Sequence, residues 1–217
     1  MVDLDDIVED SRKRLSDELR EGLWRRGVSE AQIDEYRLGY TSDPLPLKGR
    51  PVRDAYVFPL SDVSGNVRGI QVRGASRKDY CDYYPGMSVP FGLSQAAPHM
   101  WRSGVAWIVE GVYDLFPIQR THPYVVAGLT ANASGYLVRW LRRLVNVVYL
   151  AFDMDKTGRE SARKFTEAHG EIFDVRRVDF PRVRLVNGDY SKDPNDLWSA
   201  WGNDRMAEYL RGVHEPR

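Results

Sequence analysis

The chain has 217 residues, of which 42% are hydrophobic and 12% aromatic, and its 31 Lys and Arg balance 31 Asp and Glu. That length suits one or two domains, and the composition supports a buried core while excluding collagen-like, coiled-coil and disordered chains. Zero net charge argues against coating nucleic acid by bulk charge, yet it leaves room for a local basic groove beside an acidic site.

No apolar run approaches the roughly 18–20 residues of a membrane helix; the longest, Val145 to Phe152, reads as a buried strand. The opening M-V-D-L-D-D-I-V-E-D is acidic where a targeting segment is basic, so a cytoplasmic protein with no membrane partner is expected. A single cysteine, Cys81, excludes a disulfide framework and a Cys-rich zinc site, and the four histidines are too widely spaced for a ligand pair. No zinc is expected.

From Leu4 to Arg26 the apolar residues take helical spacing in the second half, with Gly27 as the stop. Ser29 is a good N-cap for a short helix to about Tyr36. T-S-D-P-L-P-L-K-G-R-P is a loop. A-Y-V-F-P-L and N-V-R-G-I-Q-V-R read as strands joined into a hairpin through S-D-V-S-G. Between Arg50 and Tyr80 the bases Arg50, Arg53, Arg68, Arg73, Arg77 and Lys78 outnumber Asp54, Asp62 and Asp79, which suits either a binding ridge or a solvated face. The prolines and glycines between Tyr80 and Met100 predict irregular structure.

Beyond Val105 the pattern alternates. V-A-W-I-V, Y-V-V-A, V-N-V-V-Y-L-A-F and I-F-D-V-R-R-V read as strands. Helices are predicted near 114–120, 135–143 and 158–169, and a last one near 195–210 follows the loop around P-R-V-R-L-V-N-G-D-Y. The fold class is therefore α/β: a smaller mixed lobe over residues 1–102, then a parallel, helix-flanked sheet over 103–217.

Three acidic features fall where these strands end. In V-E-G-V-Y-D, Glu110 closes a strand, Gly111 permits a tight turn and Asp114 follows. In A-F-D-M-D-K-T-G an extended backbone points Asp153 and Asp155 to one side. S-K-D-P-N-D places Asp193 and Asp196 just before the final helix. Parallel sheets bind ligands beyond the carboxyl ends of their strands, so the first two should converge. Two carboxylates at 4 Å repel by about 1 kcal/mol in water and about 4 at an effective dielectric of 20. Mg²⁺ or Mn²⁺ removes that cost with little beyond carboxylates, water and phosphates, which points to phosphoryl transfer. Taken singly, Asp-x-Asp ending a strand also occurs in response regulators and phosphatases, and a lone E-G-x-x-D also suits a helix cap.

E-G-V-Y-D, F-D-M-D-K-T-G-R and K-D-P-N-D-L together resemble the Toprim domain of primases, topoisomerases, small nucleases and recombination proteins. The upstream lobe narrows the choice. L-W-R-R-G-V-S-E-A-Q-I-D-E-Y-R-L-G-Y, Y-V-F-P-L-S-D-V-S-G-N-V-R-G-I-Q-V-R-G, V-P-F-G-L and V-V-A-G-L-T-A-N-A-S are each similar to segments of the bacterial DnaG-type primase core. That resemblance implies a DNA-directed RNA polymerase making short primers by nucleotidyl transfer, with single-stranded DNA as template and ribonucleoside triphosphates as substrates. It implies two or more Mg²⁺ or Mn²⁺ ions held by Glu110, Asp114, Asp153, Asp155 and Asp193, with Glu110, Asp153 and Asp155 catalytic. Arg68, Arg73, Lys78 and Tyr80 would contact template or nucleotide, and Lys156 and Arg159 would meet triphosphate oxygens at a helix start.

The chain departs from the family where Asn195 replaces the second aspartate of D-P-D, and Ser88-Val89-Pro90 stand where a basic stretch is usual. The resemblance is to a compact core of phage or mobile-element kind, with any zinc-binding module and replicative helicase on separate chains. The alternatives are a Toprim-type metal-dependent nuclease, which leaves the hairpin unexplained, and a non-catalytic nucleic-acid-binding subunit.

Overall fold

Leu4 and Val8 lie one helical turn apart, and Ala55, Val57, Val67, Ile70 and Val72 take the inward positions of two strands; with Val52 these residues form one buried cluster. In the computed structural model, which describes residues 3–45, 51–76, 80–83, 88–128 and 134–213, the chain divides into Met1–Ser94 and Gln95–Arg217.

In the first unit the opening stretch is two helices, α1 (Leu4–Lys13) and α2 (Asp17–Trp24). Ser16 takes extended backbone between them and starts the second helix, a cap signal that apolar spacing does not register. Gly27 ends α2 as predicted: its φ of 80° lets Val28 N–H reach back to Leu23 O at 3.1 Å. In α3 (Glu30–Glu35), Ser29 and Gln32 exchange cap bonds.

Strands β1 (Gly39–Thr41), β2 (Ala55–Ser61), β3 (Val67–Gly74) and β4 (Tyr80–Tyr83) form an antiparallel sheet in chain order. All of β2 but Ser61 is buried, because Ala55 and Val57 sit in the cluster with α1 while Phe58 meets Phe91 edge-on at 5.6 Å. Gly39 has no room for a side chain against the Ser11 backbone, so α1 lies close on the sheet. The predicted β2–β3 hairpin is present, and its turn is held by Asp62, whose Oδ1 accepts from Ser64 N at 2.9 Å and Asn66 N at 3.2 Å.

The segment expected to be irregular contains order. Besides β4, helix α4 (Leu93–Ser103) carries Pro98 inside it. Leu93, Ala96, Ala97 and Met100 are buried at helical spacing while Pro98 is exposed, so burial of that stripe outweighs the proline's lost hydrogen bond. The division at Ser94 and Gln95 falls ahead of the expected boundary at 102. Gly104, which ends α4, accepts from Asn146 N at 2.8 Å and Val147 N at 3.1 Å, tying that helix to the second sheet.

The second unit holds β5 (Val105–Val109), α5 (Val112–Gln119), β6 (Val125–Ala127), α6 (Ser134–Leu141), β7 (Val147–Leu150), α7 (Lys156–His169), β8 (Asp174–Arg177) and α8 (Pro194–Gly212). Its sheet is parallel, in the order β6-β5-β7-β8. Central β5 is buried on both faces, as its unbroken V-A-W-I-V requires. There Trp107 stacks between His122 at 4.3 Å and Tyr149 at 5.2 Å. Edge strand β8 carries Asp174, Arg176 and Arg177, charges that disfavour pairing with another chain. The last helix is broken by Gly202, at φ 73°. Among the described residues, no helix is long and apolar enough to cross a membrane.

Candidate metal centre

Because β5 and β7 are parallel neighbours, paired Ile108 to Leu150, their carboxyl ends lie side by side. Glu110 follows one and Asp153 the other, and Asp153 N–H donates to Glu110 Oε1 at 3.1 Å. Gly111 caps α5, where its N–H donates to Asp114 Oδ2 at 3.1 Å and turns that carboxylate back toward the strand end. Asp155 caps α7 by accepting from Gly158 N at 2.9 Å, and Asp193 caps α8 by accepting from Asp196 N at 2.6 Å. The starts of α5 and α8 are joined: Asn195 N–H donates to Asp114 Oδ1 at 3.3 Å, and its side-chain amide donates to Tyr113 O at 3.4 Å.

The electrostatics follow from this gathering. Burial raises the proton affinity of Asp114 well above the usual carboxylate range, and Asp193 and Asp153 raise it further against the Asn195 and Gly111 N–H groups. Asp153 is pushed up to about 7 by burial and then by Glu110, Asp193 and Asp155, with Lys192 opposing. Glu110 is raised by burial and by Asp155 and Asp193, although the Asp153 N–H works the other way. Asp193 is raised by burial and Asp196. Such a set costs free energy while every member is ionised.

All the donors are carboxylate oxygens, and hard divalent cations suit such a set. Among the described residues, no three acidic, His or Cys side chains already form a cluster able to hold an ion. The match to Mg²⁺ or Mn²⁺ therefore lies in the donor chemistry and the unrelieved repulsion.

Residues of the acidic motifs other than the five carboxylates also shape the centre. A Cβ on Gly158 would collide with the Asp153 carbonyl and stand 2.8 Å from Glu110 Oε1, so only glycine lets α7 begin this close. The signal in the sequence was a poor helix former placed in a first helical turn. Lys192 O accepts from Met154 N at 2.6 Å, anchoring the Asp153–Asp155 turn to the segment before α8. Asp196, one residue beyond Asn195, accepts from Lys192 N at 3.2 Å.

Lys156 and Arg159 are exposed at the start of α7, where Arg159 also donates to Met154 O. The other predicted contacts belong to the first unit. Arg73 and Tyr80 are partners across β3 and β4, with the guanidinium 5.4 Å from the ring centre and the ring about half exposed. Arg68 is paired to Asp62 at 2.7 Å, so it braces the hairpin turn. Lys78 lies outside the described residues, as do Arg77, Tyr84 and residues 129–133 of the V-V-A-G-L-T-A-N-A-S motif.

Residues 107–198, which carry Glu110, Asp114, Asp153, Asp155 and Asp193, match the family model described as Toprim-like. The chain has the fold of the DnaG-type primase catalytic core. A DNA primase domain from Pseudomonas aeruginosa superposes with a TM-score of 0.74 at 21% identity, over 96% of this chain and 77% of that one. A DnaG primase catalytic domain bound to ssDNA gives 0.71 at 20% identity, over 95% and 78%. The DNA primase of Pseudomonas putida is 29% identical over 175 residues, covering 76% of this chain and 26% of the relative. The chain thus spans about a quarter of that relative's length.

Proposed function

We propose that this chain is the catalytic core of a DNA primase, joining ribonucleoside triphosphates into a short RNA on single-stranded DNA. The observation that carries the reading is the gathering of Glu110, Asp114, Asp153 and Asp193, each raised in proton affinity by burial and neighbouring acids, beyond adjacent ends of a parallel sheet. The matched relative's name, DNA primase, and the single strand bound by one structural neighbour support it. The reading extends to a zinc-binding module and a replicative helicase as partners.

Mg²⁺ or Mn²⁺, held by Glu110, Asp114, Asp153, Asp155 and Asp193, would supply charge neutralisation for the attacking oxygen and the departing pyrophosphate. The chain's own groups do the rest. Backbone N–H bonds fix Glu110 and Asp114 before substrate arrives, which spares reorganisation during reaction. A ribose 3′-hydroxyl attacks the α-phosphorus of the next nucleotide as the bond to pyrophosphate breaks. Glu110, with its raised proton affinity, would accept the hydroxyl proton. Lys156 and Arg159, exposed at the positive end of α7, would meet the triphosphate.

The test is a gel assay with mixed-sequence single-stranded DNA, four ribonucleotides and Mg²⁺ or Mn²⁺, following template and nucleotide labels separately. Wild type should yield short RNA, and Glu110→Gln and Asp153→Asn should reduce it by about 100-fold or more. Template cleavage without RNA would replace the reading with a nuclease, and RNA made equally by all three proteins would remove the carboxylates from catalysis.

A further inference from the structure

The segment Pro181–Ser191, a loop in the sequence reading, is an ordered hairpin rooted at the carboxylate centre. Arg184 and Tyr190 bridge in antiparallel fashion, and Leu185 N–H donates to Asp189 O at 2.8 Å. Gly188, at φ 89°, closes the turn through its own bond to Leu185 O at 3.0 Å. At the root, Ser191 N–H donates to Val183 O at 2.8 Å and buried Ser191 Oγ bonds to Pro181 O at 3.1 Å. The next residue, Lys192, accepts from Met154 N between Asp153 and Asp155.

The hairpin has two unlike faces. Val183 and Leu185 are half-buried, whereas Arg182, Arg184 and Tyr190 are exposed. Alternation along one strand puts Arg182 and Arg184 on one face, and the cross-strand bridge adds Tyr190 to it. The Arg182 guanidinium lies 4.9 Å from the Tyr190 ring centre. Nearby arginines on β8 are neutralised, Arg176 by Asp174 at 2.6 Å and Arg177 by Asp179 at 2.8 Å. Among the described residues neither Arg182 nor Arg184 forms an ion pair, and the hairpin's own Asp189 is bonded to Asn187 Nδ2 at 2.9 Å.

We propose that this hairpin is a contact for single-stranded DNA beside the carboxylate centre, with Arg182 and Arg184 on phosphates and Tyr190 stacked on an unpaired base. Two unpaired guanidiniums attract a polyanion, and an exposed ring between them suits bases whose faces are free. The inference rests on the proposed primase reading only in taking nucleic acid as the ligand of this unit.

The test is fluorescence anisotropy with a labelled oligothymidine and a duplex of equal length, in buffer with chelator so that catalysis does not enter. Arg182→Ala/Arg184→Ala should weaken single-strand binding roughly tenfold or more near 0.1 M salt and flatten the log–log salt slope by about 1.4. Tyr190→Ala should weaken it about five- to tenfold with the slope unchanged. Arg182→Lys/Arg184→Lys should restore the slope, which unfolding would not allow. Unchanged single-strand affinity and slope in the alanine variants, or a loss confined to the duplex, overturns the proposal. If wild type makes no RNA while the variants still lose DNA binding, the hairpin contact stands and the primase reading falls.

Discussion

Asp62 and Asp153 both follow a strand, both are largely withdrawn from water, and they end in opposite electrostatic states. At Asp62, burial raises the carboxyl's proton affinity, but Arg68 and the Ser64 and Asn66 N–H groups outweigh it and hold the group below its usual range. At Asp153 the same burial is compounded by Glu110, Asp193 and Asp155, and the group rises to about 7. The first aspartate is satisfied by its own turn and stabilises a hairpin. The second belongs to a set that the fold leaves in mutual repulsion, which a cation would relieve. Burial and charge alone do not separate a structural acid from a functional one; the sign of its neighbours does.

Crowding the second turn should produce the largest effect. Gly158→Ala drives a methyl into the Asp153 carbonyl and should cost about 2–3 kcal/mol in denaturant unfolding. Gly65→Ala, at φ 85° in the first turn but with open space around it, should cost about 1 kcal/mol. Equal losses at the two sites would show that close approach to Asp153 is not what reserves position 158 for glycine.

Removing the satisfied acid comes next. Asp62→Ala strands Arg68 and two turn N–H groups and should cost about 1–2 kcal/mol at neutral pH. Its folded-state proton affinity is lowered, so its contribution is full above the ordinary carboxylate pKa of about 4 and is lost as pH falls through the folded value. Wild type and variant should therefore converge in stability toward acid.

Asp153 should behave in reverse, with a smaller amplitude because it is partly solvated. Its folded pKa lies above the unfolded one, so the folded state holds the extra proton between about 4 and 7 and stability declines as pH rises through that window. Without metal, wild type should melt a few degrees higher at pH 5.5 than at pH 7.5, measured against an Asp153→Asn variant with a flatter profile. Mn²⁺ at pH 7.5 should raise the wild-type Tm more than the variant's. Superimposed profiles would dissolve the contrast with Asp62.

Much of the fold was legible because its signals are local. Gly27, Ser29 and the β2–β3 hairpin carry their own caps and turn residues, and V-A-W-I-V has the unbroken apolarity of a strand covered on both faces. Helix α4 was missed because Pro98 inside it, and the prolines and glycines just before it, hid a stripe at 93, 96, 97 and 100 that becomes visible only through burial. Order in the hairpin at 181–191 was missed because it rests on a buried serine hydroxyl and a glycine turn with no strand-length pattern.

The acidic residues of the centre, their order and the strand ends that carry them were determined by the sequence alone, since residue type and local periodicity are written in the chain. Only the tertiary structure decided which acids repel and which are satisfied. It joined Asn195 to Asp114, paired Arg68 with Asp62, and packed the Gly158 backbone against Asp153. Those outcomes depend on distances between segments far apart in the chain, and the energy of a charge or a buried polar group is set by such distances.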